Sequence, residues 1–205
     1  MKSIFTLCVL SLVLFTCEQE GENSATSAAA TSVPALSGQY TYEDIPGSDA
    51  QTGFLKDAAG KVLERGGVRN GKKNGAWTYY SGESEFPVKV ITFVDDVYNG
   101  IYLEFNGRGQ AELMATYRNN KLHGPWGKYR FGRPEITANY VNGKRDGVLR
   151  EYDYKNGKLK KEVSYKEDVI DGLMRDYDEE GNVMVEYIYR DGEKVSGGVV
   201  APEGE

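Results

Sequence analysis

Six times along this chain a glycine is followed two residues later by a bulky apolar residue: Gly75 before Trp77, Gly100 before Tyr102, Gly124 before Trp126, Gly147 before Leu149, Gly172 before Met174 and, more degenerately, Gly197 before Val199. The glycine intervals are 25, 24, 23, 25 and 25 residues. So regular a beat marks one supersecondary unit copied along the chain, not one irregular domain. Other residues keep the same beat. Val68, Phe93, Tyr117, Tyr140 and Tyr165 each stand seven residues before their glycine, and a further glycine follows in each copy, at Gly82, Gly107 or Gly109, Gly132, Gly157 and Gly181. Each unit reads as strand, glycine turn, strand, glycine turn, with Gly75, Gly100, Gly124, Gly147 and Gly172 as the repeat-defining turns.

Many of the glycines follow Asn or Asp, as in Asn70-Gly71, Asn142-Gly143 and Asp191-Gly192. Both residue types tolerate positive φ and glycine adopts it freely, which tight turns between right-twisted strands require. Between the turns the residues alternate with a period of two: Ala111, Leu113, Ala115 and Tyr117 share one face, as do Val183, Val185, Tyr187 and Tyr189. One side of an all-β sheet is therefore apolar and aromatic and the other mostly polar, with Lys89 and Lys161 interrupting the apolar side. Upstream, Gly53-Phe54-Leu55 and Gly60 repeat the spacing of Gly75 and Gly82, adding a worn seventh copy that caps the stack. Six to seven such units form an elongated sheet, and 15 Tyr, 7 Phe and 2 Trp supply the apolar surface that a thin sheet needs.

The N-terminus reads as a targeting segment. Lys2 precedes an apolar run from Ile4 to Phe15, too short for a permanent bilayer span of about 20 residues. Leu14-Phe15-Thr16-Cys17 resembles a bacterial lipobox, which implies cleavage before Cys17 and acylation of that cysteine; a plain signal peptide is the alternative. The expected organisation is a lipoprotein signal peptide at 1–16, the lipidated Cys17 and a flexible linker at 17–38, hairpin repeats at 39–199 and a disordered tail at 200–205. Residues 18–38 carry too few large apolar groups to fold. Glu18, Glu20 and Glu22 resemble the surface-export signal of some Gram-negative lipoproteins. The expected location is the bacterial envelope, at the outer membrane, periplasmic or surface-exposed.

Charge and residue types narrow the chemistry. Removing residues 1–16 takes away only Lys2 and leaves 24 basic against 31 acidic residues, a poor surface for nucleic acid or for anionic lipid. Membrane contact is expected only through the lipid on Cys17. Cys8 lies in the leader, so no thiol or disulfide remains in the repeats. The single imidazole, His123, occupies the pre-glycine position that holds Asn74, Asn99, Asp146, Asp171 and Ser196 in other copies, so it reads as a turn residue. With one His and no thiol, Ser/His/Asp and Cys/His machinery is excluded. Asp176, Asp178 and Glu180 imitate the start of a calcium loop, but the twelfth position is Tyr187 and not Glu. No enzyme activity, cofactor or metal is expected.

The segments Asn70-Gly71-Lys72-Lys73-Asn74-Gly75-Ala76-Trp77-Thr78-Tyr79-Tyr80, Asn120-Lys121-Leu122-His123-Gly124-Pro125-Trp126 and Asn142-Gly143-Lys144-Arg145-Asp146-Gly147 resemble MORN repeats, in the bacterial variant of the YwqK-family antitoxins. The resemblance covers roughly residues 53–199; Asp96 and Asp168 depart from it where other copies have Gly71 and Gly143. It implies a single-layer antiparallel meander of hairpins that serves as a scaffold for protein contact or self-association. The candidate binding surface is the second aromatic column, Tyr80, Phe105, Tyr129, Tyr152 and Tyr177. These lie three residues beyond Trp77, Tyr102, Trp126, Leu149 and Met174, an odd separation that puts the two columns on opposite faces. The other reading has a bulge turning both columns inward as core. The leading function is a nonenzymatic, membrane-anchored scaffold for a protein partner; alternatives are envelope immunity of the antitoxin type and glycan binding on the aromatic ladder.

Overall fold

The computed structural model describes residues 39–82 and 84–200 together with Leu36, and every regular element among them is a β-strand. An N-terminal hairpin joins β1 (Thr41–Asp44) to β2 (Gln51–Lys56). Three longer hairpins follow: β3 (Val62–Arg69) with β4 (Lys72–Tyr80), β5 (Pro87–Val94) with β6 (Val97–Phe105), and β7 (Ala111–Arg118) with β8 (Lys121–Arg130). Next, β9 (Arg133–Val141) returns as an interrupted strand, β10 (Lys144–Arg145) and β11 (Gly147–Tyr152). The last two pair β12 (Leu159–Lys166) with β13 (Val169–Tyr177), and β14 (Val183–Arg190) with β15 (Glu193–Val199). Every pairing is antiparallel, and sequence neighbours are sheet neighbours from β1 to β15, so the chain forms one open meander with β1 and β15 as its edges. At about 4.8 Å per strand the meander is roughly 60 Å across.

From β3 onward the hairpin turns on one margin are uniform. Six two-residue turns, Asn70-Gly71, Asp95-Asp96, Asn119-Asn120, Asn142-Gly143, Glu167-Asp168 and Asp191-Gly192, have positive φ at both residues. That is the signature of the type I′ turn, whose twist matches the twist of paired strands. The last five of these turns also reach back one unit: the N–H of Asp96 donates to the Lys73 carbonyl, Asn120 to Tyr98, Gly143 to Leu122, Asp168 to Arg145 and Gly192 to Ile170. The two departures from glycine have a purpose here. Asp96 and Asp168 accept the backbone N–H of Lys73 and Arg145 on their carboxylates, at 2.7 and 2.9 Å, and Asn120 accepts that of Tyr98 at 2.8 Å.

The repeat-defining glycines are not at turns, which corrects the sequence expectation. Gly75, Gly100, Gly124 and Gly172 lie inside β4, β6, β8 and β13, and Gly147 opens β11. All five have φ between 76° and 119°, and the register shifts around them, as where Gly66 pairs with Trp77 but Gly67 pairs with Asn74. The sequence shows that these positions need positive φ, but both a turn and a bulge meet that need. A second bulge recurs farther along each unit, always on the returning strand: Val88, Glu112, Glu135, Lys160 and Met184 are each passed over in the pairing, so Ala111 and Val183 lie on the face opposite to Leu113 and Val185 and not, as the alternation suggests, on the same one.

The core occupies one face, here called inner. Trp77 is fully buried against Val68, Ile91 and Phe93, with Leu36 and Tyr40 laid over them. Gly66 makes room for the indole, since a Cβ there would stand 2.3 Å from Trp77 Cγ. Among these rings lies Lys73, only 2 % exposed. Its ammonium is 4.2 Å from the Trp77 ring centroid and donates to Glu64 Oε2 and the Tyr79 hydroxyl at 3.2 Å each, while the Tyr40 hydroxyl donates to the same Glu64 oxygen at 2.5 Å. Burial pushes the Tyr40 and Tyr79 hydroxyls well above the ordinary tyrosine value, and the Glu64 charge adds to it. Lys89 and Lys161 do interrupt the inner face, where they pair with Glu104 at 3.1 Å and Asp176 at 3.6 Å on the adjoining strand.

Candidate binding surface

The second aromatic column sits on the outer face. Alternation within each strand places Tyr80 with Thr78, Phe105 with Leu103, Tyr129 with Gly127, Tyr152 with Arg150 and Tyr177 with Arg175, opposite to Trp77, Tyr102, Trp126, Leu149 and Met174. A bulge does recur beside each of these aromatics. It falls on the partner strand, so it does not turn the ring inward.

Each aromatic faces a smaller residue across the ladder. Tyr80 pairs with Pro87, Phe105 with Ala111 and Tyr129 with Pro134. The first three rungs thus alternate a ring with a low apolar gap. In the later units the gaps are filled by Leu159 opposite Tyr152 and Val183 opposite Tyr177. The Tyr129 ring leans back over Gly127, where a Cβ would lie 3.0 Å from Tyr129 Cε2. Gly127 is buried beneath it, and the ring lies low over the sheet.

The outer face divides into two regions by charge. One row runs across the sheet as Arg65, Thr78, Val90, Leu103, Met114, Gly127, Thr137, Arg150, Glu162, Arg175 and Glu186. From β4 to β9 it holds no charge, and Ala76, Thr92, Ile101, Thr116, Pro125 and Asn139 alongside are uncharged too. Ile101 is 55 % and Met114 41 % exposed. The sequence expectation of a mostly polar outer side holds from β11 onward, but not over this window.

Beyond the window the charges close on one another. Arg150 Nε donates to Glu162 Oε1 and Arg175 Nε to Glu186 Oε2, both at 2.7 Å, and the Tyr177 hydroxyl donates to Glu162 Oε2 at 2.8 Å. Burial would push the Glu162 carboxyl up, but the Tyr177 and Arg150 hydrogen bonds hold it below the usual value. Tyr177 is accordingly tied into a ladder of its own.

At the margin opposite the type I′ turns, two shallow clefts flank Tyr80. One, about 330 Å³, is lined by residues including Phe54, Arg65, Tyr80 and Glu85; the other, about 390 Å³, by Glu85, Phe86 and Gly107. Glu112 and Glu135, the bulge residues of β7 and β9, add carboxylates along the same rim, and Glu135 lies 3.5 Å from Arg130.

His123 lies in β8, not in a turn, and its Nδ1 accepts the backbone N–H of Asn142 at 3.3 Å. Asn74 does the same for Asp95, so the imidazole stands in for a side-chain amide that links one unit to the next turn. Among the described residues no group of three or more His, Cys, Asp or Glu is placed to hold a metal ion, and no helix is long and apolar enough to cross a membrane. Cys17 lies outside the described residues. No protein-family model matches this chain, and no curated protein matches it.

Proposed function

We propose that this chain is a nonenzymatic protein-interaction scaffold of the bacterial envelope, held at the membrane by a lipid on Cys17. The observation that supports it is the outer face of β4–β9: a charge-free patch with exposed Ile101 and Met114, bordered by Tyr80, Phe105 and Tyr129 and bearing no second layer among the described residues. Isolated exposed apolar residues are ordinary, but a contiguous uncharged patch with a polar rim marks an interaction surface. The sheet supplies stiffness for such a surface, and its own core lies on the other face. The lipobox-like sequence at Cys17 supports the anchoring part.

Cross-linking in envelope extracts tests the reading. A photo-reactive residue at Ile101 should capture a discrete protein partner, whereas one at Glu186 should not. Equal or absent capture at both positions overturns it. Replacing Cys17 by Ser should release the chain from membranes and remove the fatty acid seen by mass spectrometry; retention on membranes overturns the anchor.

A further inference from the structure

We infer that the three rungs Tyr80, Phe105 and Tyr129 take a proline-rich segment in the polyproline II conformation, carrying Arg or Lys between its prolines. The inference rests on the scaffold reading above and names the partner for its exposed face.

Three observations carry it. The rungs stand on alternate strands, β4, β6 and β8, so successive rings are about 9.6 Å apart, two strand spacings. A polyproline II helix advances about 3.1 Å per residue with three residues per turn, so it repeats about every 9.3 Å. A segment laid across the strands therefore brings one residue of every three into equivalent gaps. The gaps are the second observation. Pro87 and Ala111 are low and apolar on the strands between Tyr80, Phe105 and Tyr129, and Pro134 lies just beyond Tyr129, so prolines can sit in these gaps against the neighbouring rings. Such a segment is already extended and loses little entropy on docking against an aromatic-lined groove. Third, the rim beside the rungs carries Glu85 and Glu112, together with Glu135 in its pair with Arg130, and the chain is acidic overall, with a formal charge of −6. Basic side chains between the prolines reach Glu85 and Glu112.

The same surface disfavours a second copy of this chain. The uncharged window ends in Arg65 on one side and Arg150 on the other. A two-fold axis along the strands would set Arg65 of one copy against Arg150 of the other, and an axis across them would set each arginine against itself. Later units carry the rings without the features that suit a ligand: Leu159 and Val183 fill the gaps, and Tyr177 is hydrogen-bonded to Glu162.

The test uses the full chain and an array of 12-residue peptides with proline at every third position and Arg, Lys, Ala or Glu between. Peptides with basic spacers should bind, and moving the prolines to every fourth position should abolish binding. Replacing Phe105 by Ala should weaken binding about tenfold, as for the central contact of an interface, while Tyr187→Ala on the inner face leaves it unchanged. Circular dichroism and thermal unfolding of each variant separate loss of binding from loss of fold. Absence of binding by the folded chain, equal binding of both proline spacings, or indifference to Phe105→Ala overturns the inference. So does capture of β-linked oligosaccharides, lost with Tyr129→Ala, in place of peptide. A cross-linked partner at Ile101 with no proline-rich contact would overturn the inference and leave the scaffold reading standing; no partner of either kind would overturn both.

Discussion

The two ends of this sheet are built from the same hairpin but are not held in the same way. In the units from β3 to β6 the inner face is covered. Leu36 and Tyr40 lie over it, Trp77 and Phe93 are essentially without solvent contact, and a buried lysine is surrounded by rings. In the units from β12 to β15 only Val163 is buried, Tyr187 and Tyr189 are half-exposed, and Lys194 sits 4.5 Å over the Tyr187 ring on the open surface. Lys73 and Lys194 occupy equivalent positions, three residues beyond the first residue of their turns, yet one is interior and the other solvated. A repeat does not set burial by itself. Burial depends on what lies against it, and a terminal unit faces water.

The largest effect that would break this contrast is at Trp77. Trp77→Ala should destabilise the chain by about 3–5 kcal/mol in urea unfolding, whereas Tyr187→Ala should cost about 1 kcal/mol or less. Similar losses at both sites would mean that the ends are equally packed. Lys73→Ala leaves the Glu64 carboxylate without its buried partner and should cost about 3 kcal/mol, against about 0.5 kcal/mol for Lys194→Ala. Hydrogen exchange sharpens the same point: amides of β14 and β15 should exchange through local opening well before those of β4 and β5.

A smaller effect concerns the turns. Asp168 binds the Arg145 backbone N–H and its guanidinium, each at 2.9 Å. Burial alone would raise its carboxyl, but those contacts bring it below the ordinary value of 3.8. A carboxyl lowered in the folded state adds stability above its unfolded value, and that contribution disappears as pH falls through the folded one. Asp168→Ala should therefore cost about 1 kcal/mol at neutral pH, with the difference from the parent chain disappearing as pH falls through the lowered folded-state value. A pH-independent difference would assign the loss to something other than the carboxylate. The smallest expected change is a gain: Gly192→Asn gives the last turn the acceptor that Asn120 supplies earlier, and should stabilise the open end by about 0.5 kcal/mol. A loss of stability there would show that the last turn needs glycine.

The sequence made the strands legible because alternation and the Asn-Gly pairs act locally. The opposite facing of Trp77 and Tyr80 was only half legible: their odd separation gives it on a regular strand, but a bulge could have turned both inward, and the strand pairing decides between the two. The bulge glycines were misassigned to turns because φ, and not position in the hairpin, is what the residue type reports. Lys73 was not legible as a core residue. It stands in the run Lys72-Lys73-Asn74, which reads as solvated, and the equivalent place gives a divided signal, apolar or aromatic at Tyr98, Leu122 and Ile170 but basic at Arg145 and Lys194. Gly66 and Gly67 were missed for a related reason: their absence of side chains matters only once Trp77 from the next strand lies over one and the Asn74 carbonyl, 2.4 Å from a Cβ there, crowds the other. The charge-free window required the cross-strand register, which places Thr78, Val90, Leu103 and Met114 in one row although they are far apart in the chain.

The turn-to-turn hydrogen bonds have a bearing on how such a chain can change in length. On the bonded margin all six connections between β3 and β15 are two residues long, and a longer loop there would lose its link to the preceding unit. On the opposite margin the connections between strands run from two residues, Phe131-Gly132, to six, Ser81–Phe86 and 153–158. One border of the ribbon is stitched backbone to backbone, whereas the links on the other, from Lys61 to the Gly82 carbonyl, Arg133 to that of Lys155 and Lys158 to that of Glu179, run through long side chains and leave room for insertions. Peptide grafts should therefore be tolerated between β6 and β7 or between β11 and β12, and rejected at Asn119-Asn120.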